Sequence, residues 1–152
     1  MIETASGNLL EAPAEALVNP VNTEGVMGKG LALQFREAFP ENYEAYRRAS
    51  KAGQLVPGRM FVFENPQGSP HRYLINFPTK RHWRQPSRYE DIEAGLVDLV
   101  AQVKARDIRS LALPALGCGL GGLDWARVRP MIEAAFHGLP DVRVLLYAPA
   151  PA

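Results

Sequence analysis

The chain has 152 residues, a length that favours one domain with a sizeable core. Its composition is that of an ordinary globular protein, with 47% hydrophobic residues, 22% charged residues and a net charge of +1. This charge excludes a polycation, so any contact with nucleic acid has to come from a local basic patch. The single cysteine, Cys118, excludes an internal disulfide and is typical of a reducing compartment.

The sequence predicts neither export nor insertion into a membrane. Residues 1–4 lack the basic and apolar regions of a signal peptide, and no apolar run approaches transmembrane length. We therefore expect a cytoplasmic protein without membrane contact. Residues 148–152 are all alanine or proline, which predicts a linker after a domain that covers residues 1–147. We expect the natural chain to be longer.

Short apolar runs alternate with helical patterns along most of the chain. The runs predict strands at residues 1–6, 16–19, 59–63, 73–77, 111–113 and 143–147. Periodic apolar spacing predicts helices at residues 30–39, 41–51 and 124–136, and a long helix after Ser87, which forms a capping box with Glu90. This alternation predicts an α/β fold with a largely parallel sheet and helices on both faces.

A first glycine-rich loop lies between the second predicted strand and the first predicted helix. It contains Gly25, Gly28, Lys29 and Gly30. Backbone N–H groups at the start of a helix, together with the helix dipole, attract anions, so the loop is a candidate phosphate site. It is not a Walker A motif, because Thr23 stands where that motif has its first glycine. A plain turn is the alternative.

A second glycine-rich loop, Gly117–Gly122, follows the fifth predicted strand and matches the G-x-G-x-x-G pattern. Its position disfavours a dinucleotide-binding domain, because only thirty residues follow Gly122. The acidic residue about twenty positions on, Asp141, also precedes the next strand instead of ending it. Two phosphate-binding loops in one small domain fit a diphosphate better, with one loop on each side.

Three segments together carry a resemblance to a known family, the macrodomains. They are Asn19–Asn22, Gly28–Ala32 and Pro114–Leu123. The resemblance covers nearly the whole chain, from Met1 to about Tyr147. It implies a three-layer α/β/α fold with a mixed, largely parallel central sheet that binds ADP-ribose.

Further segments resemble one branch of macrodomains in particular. That branch contains the terminal ADP-ribose protein glycohydrolase and the bacterial DNA ADP-ribosyl glycohydrolase antitoxins, and Ile75–Lys80 with Trp83 and Arg84 is similar to both. The antitoxin type is the more similar, because both Gly25–Gly30 and Lys80–Arg84 resemble it.

The resemblance assigns loop residues to ADP-ribose. Gly7, Asn8 and Leu9 would line the adenine end, where many macrodomains have aspartate in place of Asn8, and Asn22 would bond the distal ribose hydroxyls. The ADP-ribose contacts that we expect are Gly7, Asn8, Leu9, Asn19, Asn22, Gly28, Lys29, Gly30, Leu31, Thr79, Gly117, Cys118, Gly119, Leu120 and Gly121. As alternatives, Gly7 and Asn8 form only a turn, and Asn22 satisfies its own loop backbone.

Lys80, with Asn22, is the expected catalytic residue. A lysine amine beside the distal ribose could attack C1″ and form a Schiff base, or it could stabilise the leaving base by its charge. The first role requires a lowered pKa, which we expect from the neighbouring Arg81 and Arg84. The alternative is an ordinary lysine of a basic patch.

One departure from the branch concerns an aspartate that its protein glycohydrolase pairs with the catalytic lysine. Gly121 occupies the corresponding position here. Asp124 is close in sequence but is better explained as a helix cap, and Glu24 of the first loop could be a base or merely a solvated carboxylate. A lysine–aspartate pair is therefore not expected.

The segment Arg81, His82, Trp83 and Arg84 combines cations with an aromatic ring. This mixture binds single-stranded nucleic acid through phosphate contacts and base stacking, so we expect it to contact DNA. The alternative is a surface run with Trp83 packed on the core. The histidines show no ligand spacing, so we expect no metal and no cofactor.

The expected function is that of an ADP-ribosyl glycohydrolase. It would remove ADP-ribose from thymidine in single-stranded DNA and thereby reverse the action of a cognate ADP-ribosyltransferase toxin. The alternatives are a module that binds ADP-ribose without turnover and a hydrolase of ADP-ribose linked to protein.

Overall fold

A six-stranded mixed sheet forms the centre of the computed structural model, which describes residues 1–66 and 69–149. The strands are β1 (Ile2–Ala5), β2 (Ala16–Asn22), β3 (Phe61–Glu64), β4 (Tyr73–Lys80), β5 (Ser110–Leu113) and β6 (Arg143–Tyr147). The helices of the described residues are α1 (Gly30–Ala38), α2 (Pro40–Lys51), α3 (Tyr89–Ala105) and α4 (Trp125–Phe136). The strand order is β1-β6-β5-β2-β4-β3, and among the strand pairs of the described residues only β3–β4 is antiparallel.

Alternate residues of the central strands are buried in two core layers, one on each face of the sheet. On one face, Val18 and Ile75 pack with α3 and α4, whereas Leu17 and Leu74 pack on the other face with α1. Strands buried on both faces are typical of parallel sheets covered by helices. The predicted three-layer α/β/α fold is therefore confirmed. None of the helices in the described ranges has the length and apolarity needed to cross a membrane.

Two strands extend three residues further than the sequence predicted. β2 continues to Asn22, and β4 continues to Lys80. The parallel register pairs these last residues, Asn22 with Lys80, after a bulge between Val21 and Asn22. Both residues thus lie at the end of rigid strands and not in the loops where we expected them.

The strands β2 and β5 separate after a short pairing. Their register contains only Ala16 with Leu111 and Leu17 with Ala112. Pro20 lies in β2 beyond this pairing, and proline has no backbone N–H with which to continue a ladder. The divergence opens a gap between the carboxyl ends of β2 and β5.

The predicted capping box at Ser87 is wrong. Helix α3 begins at Tyr89, and its N-cap residue is Arg88, without a side-chain hydrogen bond. Ser87 is instead buried against the second glycine loop: its N–H donates to the carbonyl of Gly121 at 2.9 Å. Its Oγ has no hydrogen-bond partner in the described part of the chain. Asp124, by contrast, caps α4 as predicted, accepting from the N–H of Ala126 at 3.0 Å.

These two positions give opposite predictions for substitution by alanine. Ser87→Ala should leave the free energy of unfolding unchanged or raise it by up to about 1 kcal/mol, because its hydroxyl is buried without a bond. Asp124→Ala should lower it by about 1 kcal/mol, because a helix cap is lost. Urea unfolding of both variants measures the difference. An equal loss in both would show that Ser87 makes a stabilising bond after all.

Candidate functional site

A cleft of about 1270 Å³ lies at the carboxyl ends of the parallel strands. This edge is where ligands bind in open α/β sheets. The cleft extends from the end of β1 and β6, past the gap between β2 and β5, to Lys80 at the end of β4. Its volume exceeds that of a typical drug-sized pocket, which suits an extended ligand such as a dinucleotide.

The two glycine loops face each other across this cleft. A β-carbon on Gly30 would lie 3.3 Å from the side chain of Leu120, so the loops are in contact. Gly30 and Gly119 both have positive φ, +58° and +66°, a conformation that other residues rarely adopt. In the described residues, the N–H groups of Gly119 and Leu120 have no acceptor, and the first turn of α1 leaves further N–H groups free. The arrangement presents donors from two sides to an anion.

Gly121 packs so closely against Ser87 that a side chain at position 121 would require Ser87 to shift. A β-carbon on Gly121 would lie 2.5 Å from Ser87 Oγ and 3.1 Å from Ser87 Cβ. A side chain here would displace the Ser87 hydroxyl, so the packing around this loop suits the glycine that stands where the resemblance places an aspartate. No ion pair joins Lys80 to a carboxylate in the described part of the chain.

The opposite end of the cleft begins at Gly7, Asn8 and Leu9. Gly7 has a φ of +94°, and the Asn8 side chain accepts from the N–H of Leu10 at 3.0 Å, capping a short 3-10 turn at Leu9–Glu11. The turn that we gave as an alternative is therefore present, and the same residues also line the cleft. The carboxamide nitrogen of Asn8 still has hydrogens to donate.

Asn22 lines the cleft, but its side chain is used by its own loop. Its Oδ1 accepts from the N–H of Glu24 at 2.9 Å and from the hydroxyl of Tyr46 at 2.9 Å, and its Nδ2 donates to the carbonyl of Val26 at 2.8 Å. Burial raises the pKa of Tyr46, which keeps this hydroxyl a donor. One N–H of the Asn22 amide is left for a ligand.

The structure does not bring Asn19 into the cleft. Asn19 is fully buried, and its Nδ2 donates to Asn76 Oδ1 at 3.1 Å. Asn76 in turn exchanges hydrogen bonds with Asn42, at 2.9 and 3.2 Å. Because β2 continues through this position, the side chain points into the core layer under the first loop. Its predicted ADP-ribose contact is replaced by a structural one.

Lys80 is half-buried at the end of the cleft, and its Nζ donates to the carbonyl of Trp83 at 3.4 Å. Burial lowers the pKa of Lys80 below the usual range of lysine, and the charge of Lys29 lowers it further. The predicted direction is therefore right, but the predicted cause is wrong. The like charge that acts on the amine belongs to Lys29 of the first loop and not to Arg81 or Arg84.

Two residues of the predicted DNA-binding segment contact carboxylates, and the other two line the cleft. Arg81 donates twice to Asp91 of α3, at 3.1 and 3.2 Å, and His82 pairs with Glu24 at 2.9 Å. Trp83 and Arg84 line the cleft, and the Arg84 guanidinium lies 4.5 Å from the centroid of the Trp83 ring. Trp83 is 37% exposed, so it is not packed on the core.

Comparison with known proteins identifies the fold family. The model of the Macro domain family matches residues 18–132. The chain belongs to the macrodomain family. It is 54% identical over 149 residues to a DNA ADP-ribosyl glycohydrolase of Thermus aquaticus, and these residues are 98% of the chain and 41% of the relative.

Two more relatives have known structures. The chain is 49% identical to the DNA ADP-ribosyl glycohydrolase of Mycobacterium tuberculosis over 99% of its own length and 43% of the relative. The macrodomain of that protein, DarG, superposes with a TM-score of 0.97 over 99% of both chains. DarTG of Thermosipho africanus, solved in complex with ADP-ribose, superposes with a TM-score of 0.90 at 35% identity over 97% of this chain and 41% of that one. The chain thus spans less than half the length of the curated relatives it matches.

The macrodomain cleft includes residues that sequence reasoning missed. The missed lining residues are Ala5, Ser6, Pro20, Val21, Val26, Ala32, Gln34, Pro114, Ala115, Tyr147, Ala148 and Pro149. Tyr147 could have been predicted to line the cleft, because it ends the last strand and that strand lies beside β1 in a parallel sheet. Ala148 and Pro149 were assigned to a linker, and residues 150–152 of that linker lie outside the described residues.

Two observations concern reactive groups. Burial raises the pKa of the Cys118 thiol, which disfavours its reactive thiolate form. Within residues 1–66 and 69–149, no group of three or more His, Cys, Asp or Glu side chains could hold a metal ion.

The lowered pKa of Lys80 predicts a small gain in stability when its charge is removed. Because the fold disfavours the charged amine, protonated Lys80 destabilises the protein below its folded-state pKa. This destabilisation disappears as pH rises through that value toward the pKa of the unfolded chain, about 10.4. Lys80→Met should therefore raise Tm at pH 7 by on the order of one degree, and by less near about pH 10.5.

Thermal melts at both pH values test this, with Lys104→Met, at an exposed lysine of α3, as the control. A lower Tm for Lys80→Met at pH 7 would contradict the prediction.

Proposed function

We propose that this macrodomain hydrolyses the bond between ADP-ribose and thymidine in single-stranded DNA. The observation that carries the proposal is the strand register, which places Lys80 beside Asn22 at the end of a cleft with two anion-binding loops. Relatives that are 54% and 49% identical are named DNA ADP-ribosyl glycohydrolases. A structural relative with a TM-score of 0.90 was solved with ADP-ribose.

The cleft suggests how ADP-ribose lies in it. Adenine contacts Gly7, Asn8 and Leu9, close to Tyr147. The diphosphate accepts from backbone donors of the two glycine loops, where the absence of β-carbons permits close approach. The distal ribose then reaches Lys80, because that residue lies at the other end of the same cleft.

Two chemical roles are open to the Lys80 amine. As a nucleophile, the neutral amine forms a bond to C1″ while the bond from C1″ to the base breaks, and the base leaves with a proton. Water then releases ADP-ribose and regenerates the amine. As a cation, the ammonium stabilises negative charge that develops on the leaving base. The lowered pKa makes the first role accessible nearer to neutral pH than for an ordinary lysine.

The DNA strand is proposed to contact the cleft at Trp83 and Arg84. Arg84, Lys29 and Lys80 line the cleft, and none has a carboxylate partner in the described residues. The three positive charges therefore attract a polyanion, and bound phosphates reduce the repulsion between them. Arg81 and His82, which pair with carboxylates, contribute less than the sequence indicated.

The name of one relative leads us to propose a partner enzyme. The Thermosipho africanus relative, 34% identical, is called a fusion of a DNA ADP-ribosyl transferase with a DNA ADP-ribosyl glycohydrolase. We propose that this chain likewise reverses the action of a cognate transferase toxin, in the cytoplasm. A binding module without turnover is the second candidate, favoured by the Asn22 hydrogen bonds within its own loop and by the lack of an ion pair between Lys80 and a carboxylate in the described residues.

Turnover of a modified strand distinguishes the two functions. We expect the wild type to release ADP-ribose from a thymidine-ADP-ribosylated single strand, and Lys80→Ala to be slower by on the order of 10²-fold or more. Lys104→Ala, an exposed lysine on α3, should match the wild type. Tight ADP-ribose binding without release by any of the three would establish the binding module instead.

Reduction during turnover separates the two roles of Lys80. If the amine bonds to C1″ and an imine forms after the sugar ring opens, borohydride should trap ADP-ribose on the protein, and peptide mass spectrometry should place the adduct on Lys80. Lys80→Arg should give no adduct. Turnover by the wild type with no adduct at any borohydride concentration would assign the electrostatic role.

A further inference from the structure

Three contacts connect the first glycine loop to the turn that follows β4. The N–H of Thr23 donates to the carbonyl of Lys80 at 3.1 Å, and its hydroxyl donates to the carbonyl of Arg81 at 2.7 Å. Glu24 Oε1 lies 2.9 Å from His82 Nε2. The last contact, called the Glu24–His82 pair below, is the one made between two side chains.

The imidazole of His82 is held on more than one side. Its Nδ1 accepts from the N–H of Arg84 at 3.1 Å, so Nε2 is the nitrogen that carries a proton toward Glu24. The ring also stacks nearly parallel to that of Trp83, with centroids 6.1 Å apart and planes inclined by 17°. A ring fixed in this way ties the turn from His82 to Arg84 to the first loop.

This turn provides the acceptor for the Lys80 amine. The carbonyl of Trp83 accepts from Lys80 Nζ at 3.4 Å, and it is the amine's one hydrogen-bond partner in the described part of the chain. The start of the turn is fixed separately, because Arg81 is bonded twice to Asp91. The Thr23 hydroxyl and Asp91 both hold Arg81, whereas the Glu24–His82 pair holds the next residue, which directly precedes Trp83.

We propose that Glu24 and His82 are positioning residues, which hold the turn so that the Lys80 amine is directed at the reacting carbon. The inference rests on the proposed hydrolase function. Neither residue lines the cleft, so neither is expected to contact ADP-ribose. They act on Lys80 through Trp83, and they leave the diphosphate loop at Gly117–Gly121 unaffected.

The proposal predicts a loss of kcat with little loss of binding. Glu24→Ala and His82→Ala should each lower kcat by on the order of 10-fold to 10²-fold, because a displaced reacting group is costly. The Kd for ADP-ribose should change by less than about threefold. The double variant should be no slower than the slower single variant, because the two substitutions remove the same contact. His82→Gln should retain most of the activity, since its amide can still donate to Glu24.

Glu133→Ala is the matched control, because the Glu133 carboxylate also contacts a basic side chain, that of Arg129 of α4, away from the cleft. Tm is measured for every variant. Wild-type kcat in both single variants would overturn the proposal. So would a loss of ADP-ribose affinity or of Tm that matches the loss of kcat, because the pair would then have a general structural role.

A second measurement does not depend on turnover. The amide NMR spectrum of Glu24→Ala should differ from that of the wild type at residues 80–84 and not at 117–121. If the wild type releases no ADP-ribose, the proposed function fails, and this spectrum still decides whether the pair holds the turn. Unchanged signals at residues 80–84 would contradict the positioning role.

Discussion

The parallel pairing of β2 with β4 is the constraint on which the rest of the site depends. It sets Asn22 beside Lys80, and it holds both on strands whose apolar residues are buried in two core layers. The bulge after Val21 and the proline at position 20 belong to the same stretch, where β2 parts from β5. The cleft thus forms because β2 continues to pair with β4 after its pairing with β5 has ended.

The glycines contribute to the cleft because they have no side chains. Gly30 and Gly119 adopt positive φ at the two facing loops, and Gly121 leaves room for Ser87 beneath the second loop. A tightly packed loop of this kind presents backbone donors, and Gly121 supplies no carboxylate there. The proposed chemistry therefore has to use Lys80 without an aspartate partner, and the electrostatic environment of its amine comes from burial and from Lys29.

Much of the fold could be predicted from the sequence, because the continuous apolar run of strands such as Arg143–Tyr147 and the helix stop at Pro40 are local signals. Both glycine loops were also recognisable as local patterns. The buried position of Asn19 could not be predicted, because it depends on the length of β2 and on pairing with a strand fifty-seven residues away. The Glu24–His82 pair and the burial of Ser87 likewise arise from distant segments that meet only in the fold.

The central claim is that one cleft directs the distal ribose of ADP-ribose to Lys80. A crystal structure of this chain with ADP-ribose tests it most directly. We predict that the diphosphate accepts from the N–H groups of Leu31 and Leu120 and that C1″ lies within about 4 Å of Lys80 Nζ, close to a near-attack distance. A ligand bound in the opposite direction, with its distal ribose beside Tyr147, would contradict the account.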